Sequence, residues 1–345
     1  MSFFEWITCV ISSVPLACLT FLTLCVIFVN GWTDAPNAIA SCVVTRVLTP
    51  KGAVVMASIC NFFGLILSVA VNRTVTDTVY SMVDFGPDVS LSRIALCAAL
   101  TAVVVWAVSA WFFGIPTSES HALIAGITGA AFALRGGDGI RFSVWSRVLW
   151  GLLLSVGIGF LFGWLSTRMI LYFFSKIRRD RAQFIFFRTQ ILGGAMNAFL
   201  HGAQDGQKFI GVLLLSVAAH TGESVAEIPL WMVLLCSVVL SCGTALGGGR
   251  IIRAVGMKML KLERFQGVAS DVASAVSLLI CSVFGLPVST THVKTTSVMG
   301  AGSAVRIRSV NWSIAGQMVV AWCLTFPGCG LLGYGMAKVF LMLFQ

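Results

Sequence analysis

The chain has 345 residues, of which 58% are hydrophobic and only 10% charged, and it carries a net charge of +10. Soluble domains carry about 25% charged residues, so the composition excludes a soluble enzyme and predicts an all-α polytopic membrane protein. In such a chain a positive balance marks Lys- and Arg-rich cytoplasmic loops, and no nucleic-acid partner is expected.

Apolar runs able to approach or cross a hydrocarbon core of about 30 Å cover Ile7–Val29, Ala53–Val71, Ile94–Phe113, Val144–Phe174, Ile185–Leu200, Leu230–Leu246, Val268–Phe284 and Ile314–Phe344. Shorter apolar pieces follow Asp34, Pro116, Asp205 and Pro287, which brings the expected total to roughly 10–12 membrane segments. Glu5 is the only charge before the first run, which argues against a cleaved signal peptide. Trp6, Trp145, Trp150, Trp231 and Trp312 lie near run ends, as interfacial anchors do. The eleven cysteines are scattered through apolar segments without a CxxC pair; they read as small buried hydrophobes, with no disulfide or metal site expected. Gly247–Gly249 before Arg250 lacks the phosphate-loop pattern and reads as a flexible turn.

The chain is a duplication. Gly114-Ile-Pro-Thr-Ser-Glu-Ser-His121 returns 171 residues later as Gly285-Leu-Pro-Val-Ser-Thr-Thr-His292. At the same offset, Asn30-Gly-Trp-Thr-Asp-Ala-Pro-Asn37 aligns with His201-Gly-Ala-Gln-Asp-Gly-Gln-Lys208. Basic residues cluster at the junction of the halves (Lys176, Arg178, Arg179, Arg181, Arg188) and again at Arg250, Arg253, Lys258, Lys261 and Arg264. The first-half match of that second cluster, Val79–Arg93, carries Asp84 and Asp88 and a single basic residue. Equivalent connections of opposite charge character imply halves that cross the membrane in opposite directions. The expected organisation is an inverted-topology repeat with broken or re-entrant helices: residues 1–175, a basic cytoplasmic linker at 176–190, and residues 191–345.

The duplicated motifs carry the chemistry. Gly31 and Pro36 predict a broken helix, and such backbone is tolerated at membrane depth only inside protein or beside a cavity. Asp34 and Asn37, three apart, share a helical face and suit a small hard cation or, at the carboxylate, a proton. A surface loop with Asp34 as N-cap is the bland alternative. The second copy has His201, Gln204 and Lys208 in place of Asn30, Thr33 and Asn37; Lys208 could replace a cation beside Asp205, contact an anion, or snorkel to the interface.

Each Gly-x-Pro element ends one helix and can start another. This puts the hydroxyls of Thr117, Ser118 and Ser120, and of Ser289, Thr290 and Thr291, in a first turn. Unpaired N–H groups and the positive dipole end make that turn an anion site; capping alone needs one hydroxyl, not three. His121 and His292 could donate to the anion, relay protons or bond a backbone carbonyl. Glu119, opposite Thr290, is a candidate for an asymmetric coupling role.

These motifs resemble the duplicated signature G-x-N-D-x-x-N-A and the second duplicated element of inorganic phosphate transporters of the PiT type, over about Val10 to Phe344. The resemblance implies phosphate uptake driven by a cation gradient, with alternating access to a site between the halves. Asp34, Asn37, Asp205 and Glu119 would then serve the coupling ion, Na⁺ or H⁺. The six hydroxyls, with Gln204 and Lys208, would hold phosphate, and His121, His201 and His292 would assist the anion or relay protons. Thr33, Gln204 and Lys208 depart from the signature, which leaves the coupling ion open. No other cofactor is expected. The bacterial inner membrane is the expected location, and a homodimer is an open option. Readings from other classes are a sulfate or other oxyanion permease, an anion channel, and an intramembrane hydrolase using Ser118 or Ser289; the last is disfavoured because a nucleophile–base pair is normally single.

Overall fold

In hydrocarbon a backbone can satisfy its polar groups only within itself, so apolar runs of this length become helices. A computed structural model describes residues 2–115, 117–223, 227–247 and 262–344. Among them are thirteen α-helices and no strand: α1 (Phe3–Ser12), α2 (Val14–Thr33), α3 (Pro36–Val44), α4 (Pro50–Val71), α5 (Thr74–Ser81), α6 (Val89–Phe113), α7 (Glu119–Arg135), α8 (Phe142–Phe173), α9 (Arg179–Thr221), α10 (Leu230–Leu246), α11 (Arg264–Val283), α12 (Thr290–Val305) and α13 (Trp312–Phe344). Among the described residues six helical stretches are long and apolar enough to cross a membrane. Large side chains on their outer faces, such as Leu153, Leu161 and Leu331, are more than half exposed while Asp34, Asp205 and Lys208 are buried. That reversal of the soluble pattern is what a lipid environment demands. The chain is an all-α polytopic membrane protein.

The 171-residue offset maps α4 near α10, α6 onto α11, α7 onto α12 and α8 onto α13, while α2 and α3 together match α9. The halves exchange partners. α8 packs on α12 and, reciprocally, α13 packs on α7; α4 lies along α9 as α10 lies along α2. Two glycines at matching positions permit the close crossings. A Cβ on Gly300 would run into the Phe160 carbonyl, and one on Gly129 into the Gly330 carbonyl.

Three details differ from the sequence expectations. The first apolar run is two helices, because Ser13 is extended (φ −126°, ψ 103°) ahead of Pro15 in the first turn of α2. The helix interruption is confined to the first copy. α2 ends at Thr33 and α3 starts at Pro36, whereas α9 runs unbroken for 43 residues through Asp205. Gly206 and Gln207 replace Ala35 and Pro36 there, so position 207 keeps its N–H donor and the ladder continues. Among the expected interfacial tryptophans, Trp6 is 5% exposed and packs on Trp231 with ring centroids 4.7 Å apart, so it joins helices rather than facing the interface. Only a bend at 174–178 separates α8 from α9, and the rest of the basic 176–190 stretch is helical. Pro116, Gly248, Gly249, Arg250, Arg253, Lys258 and Lys261 lie outside the described residues.

Candidate functional site

The two Ser/Thr segments do start helices. Gly114 (φ 68°) and Gly285 (φ 64°) end α6 and α11 in left-handed conformations that glycine adopts without steric cost. Ser118 and Ser289 then cap α7 and α12 identically, each hydroxyl accepting the backbone N–H three residues on, from His121 and His292, at 3.2 Å. Capping therefore occupies one hydroxyl per helix.

The next hydroxyls meet the Asp motifs. In the first triad Asn37 Nδ2 donates to Asp34 Oδ1 at 2.8 Å and to Thr291 Oγ1 at 3.0 Å, and Thr291 donates to Asp34. In the second, Lys208 Nζ donates to Asp205 Oδ1 and to Ser120 Oγ, each at 2.6 Å. The 171-residue offset converts one triad into the other: Asp34 into Asp205, Asn37 into Lys208, Ser120 into Thr291. Each triad joins a hydroxyl from one half to an acid from the other, so the site exists only where the halves meet. An ammonium has three N–H donors, and Lys208 uses its third on the Val288 carbonyl at 2.5 Å. This full satisfaction offsets the desolvation of a charge that is 1% exposed.

Asp205 is the more crowded acid. Its Oδ2 accepts from Asn30 Nδ2 at 3.2 Å and Thr290 Oγ1 at 3.3 Å, with His201 Nε2 3.3 Å away. His201 is oriented by Asn61 Oδ1, 3.0 Å from its Nδ1. One ligand atom each from Asp34, His201 and Asp205 lies within 4.8 Å of the others. Among the described residues Asn30 Oδ1, Asp34 Oδ2 and Asn37 Oδ1 are buried without a hydrogen-bond partner. Carboxylate and amide oxygens are the donors that a hard cation takes. Glu119 is 5% exposed and close enough to Asp34 and Asp205 for their charges to act on it. Three carboxylates against the one Lys208 ammonium leave a formal charge of −3 + 1 = −2 when all are ionised.

Other predicted residues stand apart. Thr117, half-buried, lines a small cavity with Thr33, Asn37 and Glu119 and borders a wider, mainly apolar one of about 600 Å³ between α6 and α13. The wide cavity is the larger opening but has no charged residue in its lining, so the closed polar centre is the candidate site. Gln204 points away from the acids, donating to Ser282 Oγ at 2.8 Å and the Leu286 carbonyl at 3.4 Å. The rings of His121 and His292 meet edge to face at 4.3 Å, with Phe326 and Trp322 against them. Among the described residues no serine hydroxyl is hydrogen-bonded to a ring nitrogen of either, and Ser118 and Ser289 are caps, so neither Ser–His pair is arranged for nucleophilic attack. Sequence reasoning missed a second buried ion pair, Asp271 with Lys294. A charged residue within each of two apolar helices was its only signal.

Known proteins are similar to most of the chain. The profile described as "Phosphate transporter family" matches residues 30–333. A protein of Bacillus subtilis named "Probable low-affinity inorganic phosphate transporter" is 33% identical over 307 residues, 89% of this chain and 91% of that one. A Rhizobium meliloti protein of the same name is 33% identical over 312 residues, 88% and 90% of the two chains. The solved structure called "The sodium-dependent phosphate transporter" has the same fold, with a TM-score of 0.87 at 22% identity over 96% of this chain and 100% of that one. Its family, then, is one of transporters and not of enzymes: the chain belongs to the phosphate transporter family.

Proposed function

We propose that the chain imports inorganic phosphate, coupled to a gradient of Na⁺ or H⁺, by alternating access to the centre between the two halves. The observation that carries this reading is the pair of repeat-related triads, Asp34–Asn37–Thr291 and Asp205–Lys208–Ser120, buried at the starts of α7 and α12. Phosphate sits between the two helix starts, taking Ser120, Thr290, Thr291 and the Lys208 ammonium as donors. Lys208 exchanges the Val288 carbonyl for a phosphate oxygen. The uncompensated charge of Asp34 and Glu119 is what the coupling cation or proton neutralises, so an anion enters only with it. His201, against Asp205, relays the proton where H⁺ is the coupling ion. The charge asymmetry of equivalent connections supports inverted halves, 1–175 and 191–345, with the basic 176–190 segment facing the cytoplasm of a bacterial inner membrane.

Counterflow of labelled phosphate in proteoliposomes tests the reading, run under a Na⁺ gradient, under a pH gradient, and with sulfate as competitor. Saturable uptake that one gradient drives and unlabelled phosphate trans-stimulates is expected. Uptake indifferent to both gradients would mean a channel, and stronger competition by sulfate than by phosphate would mean a different oxyanion.

A further inference from the structure

The Asp271–Lys294 pair has no part in the function derived so far. Asp271 on α11 is 0% exposed and Lys294 on α12 is 2% exposed. Lys294 Nζ donates to the Asp271 carboxylate and to Ser41 Oγ at 3.2 Å. Among the described residues its third N–H has no acceptor. Asn197 Nδ2 donates to the Asp271 carbonyl at 2.9 Å, and Ser274 Oγ to Asn197 Oδ1 at 2.5 Å. Among the described residues both amide atoms of Gln190 and the second carboxylate oxygen of Asp271 are buried without a partner. Buried polar groups are rarely left so, and here several are left together. A small cavity is lined by Lys294 and Asn197 together with Asn37, His201 and Thr290 of the central site.

The duplication supplies a control. The 171-residue offset replaces Ser41, Gln190, Asn197, Asp271, Ser274 and Lys294 by Val212, Leu19, Val26, Leu100, Val103 and Leu123. All six replacements are hydrophobic, at most 2% exposed, and members of one core cluster. The same helix arrangement is thus built in the other half with hydrophobic side chains at all six positions, so the fold does not require the ion pair. A well-packed apolar cluster of similar size avoids the desolvation cost of a buried pair.

We propose that the Asp271–Lys294 cluster is a second oxyanion station on a one-sided polar route out of the central site, and that its apolar counterpart is the seal on the opposite side. The inference rests on the phosphate reading above. Phosphate leaving the helix starts passes the shared cavity, takes the spare Lys294 N–H and displaces Asp271 from the ammonium. Asp271 returns when the anion has gone, so Lys294 is never left as a bare buried cation. The route has one such station because the matching side chains in the other half are hydrophobic.

The test copies the other half: Asp271→Leu with Lys294→Leu, compared with the unaltered protein for phosphate binding in detergent, thermal stability and uptake in proteoliposomes. A folded variant with near-normal binding and uptake reduced at least about tenfold is expected, the loss of one charge-assisted contact on the route. Normal binding with unimpaired uptake overturns the proposal. Unaltered protein that binds no phosphate overturns this proposal and the functional reading together. Single variants guard against misfolding and fix the sign of the ligand. Lys294→Gln should lose uptake, and Lys294→Arg should keep most of it. If Asp271→Asn abolishes uptake while Lys294→Gln leaves it intact, the station holds a cation and the oxyanion assignment fails.

Discussion

Lys208→Asn would turn the second triad into a copy of the first. In the structure the ammonium makes three bonds, to Asp205, Ser120 and Val288; the uncharged amide of Asn37, at the matching place, makes two, to the Asp34 carboxylate and the Thr291 hydroxyl. The variant therefore loses a fixed positive charge and a donor to the anion but keeps an amide able to bridge Asp205 and Ser120. A hydrogen bond to a charged group contributes about 1.5–3 kcal/mol, so the apparent affinity for phosphate should fall roughly ten- to a hundredfold. The charge deficit at Asp205 should also make a soluble cation useful where the tethered one stood. Uptake by the variant should rise with Na⁺ concentration more steeply than uptake by the unaltered protein. Initial rates in proteoliposomes, with phosphate and Na⁺ varied independently at constant membrane potential, measure both effects. An affinity within about threefold of the original, a difference of under 1 kcal/mol, together with an unchanged Na⁺ response, would refute the reasoning.

Further outcomes follow from the same geometry. Asp34→Asn and Asp205→Asn should each lower phosphate uptake by about tenfold or more while the protein still inserts and purifies; original rates in both would remove their coupling role. Gly300→Leu and Gly129→Leu push side chains into the Phe160 and Gly330 carbonyls and should cost about 1–3 kcal/mol or more. Thermal unfolding in detergent should show the loss, whereas Gly316→Ala, with nothing within 4 Å of its Cβ, should not. Outside the spans, partial burial raises the Asp84 carboxyl, but the Gly86 N–H and the Arg135 guanidinium outweigh it and hold the group below its ordinary value. A depressed folded value adds stability above the ordinary carboxylate range and loses it as pH falls through that value. Because the carboxylate is 40% exposed, Asp84→Asn should cost under about 1 kcal/mol at neutral pH, and the difference should vanish in acid. Unfolding of both proteins across pH checks the sign.

The parts of the site visible in the sequence are those the duplication wrote twice. Pro116, Pro287 and the serines after them announce helix starts, and the spacing of Asp34 and Asn37 announces a shared face, because both are local rules of a few residues. Asp205 and Lys208 are equally local. Which hydroxyl meets which acid was hidden, since Ser120 reaches Lys208 and Thr291 reaches Asp34 only through the exchange of helices between halves. Looking for repeated polar positions also steers attention away from unrepeated ones. Asp271 and Lys294 match Leu100 and Leu123, and their partner Ser41 lies 253 residues before Lys294. The continuity of α9 could have been read from the absent proline at 207; His121 and His292 could not have been paired, because 171 residues separate rings that touch.

The exchange of helices between halves also bears on how the protein is made. α7 buries Gly126 and Gly129 against α13, but α8 to α12 must be synthesised before α13 exists. During that interval the first half sits in the bilayer with its small-residue face uncovered and its acids without their hydroxyl partners. It therefore cannot be a finished half-protein waiting for a second. Lipid, water or an insertase must cover those surfaces until the last helix arrives, and a ribosome stalled before α13 should leave α7 open to proteases that the mature chain excludes.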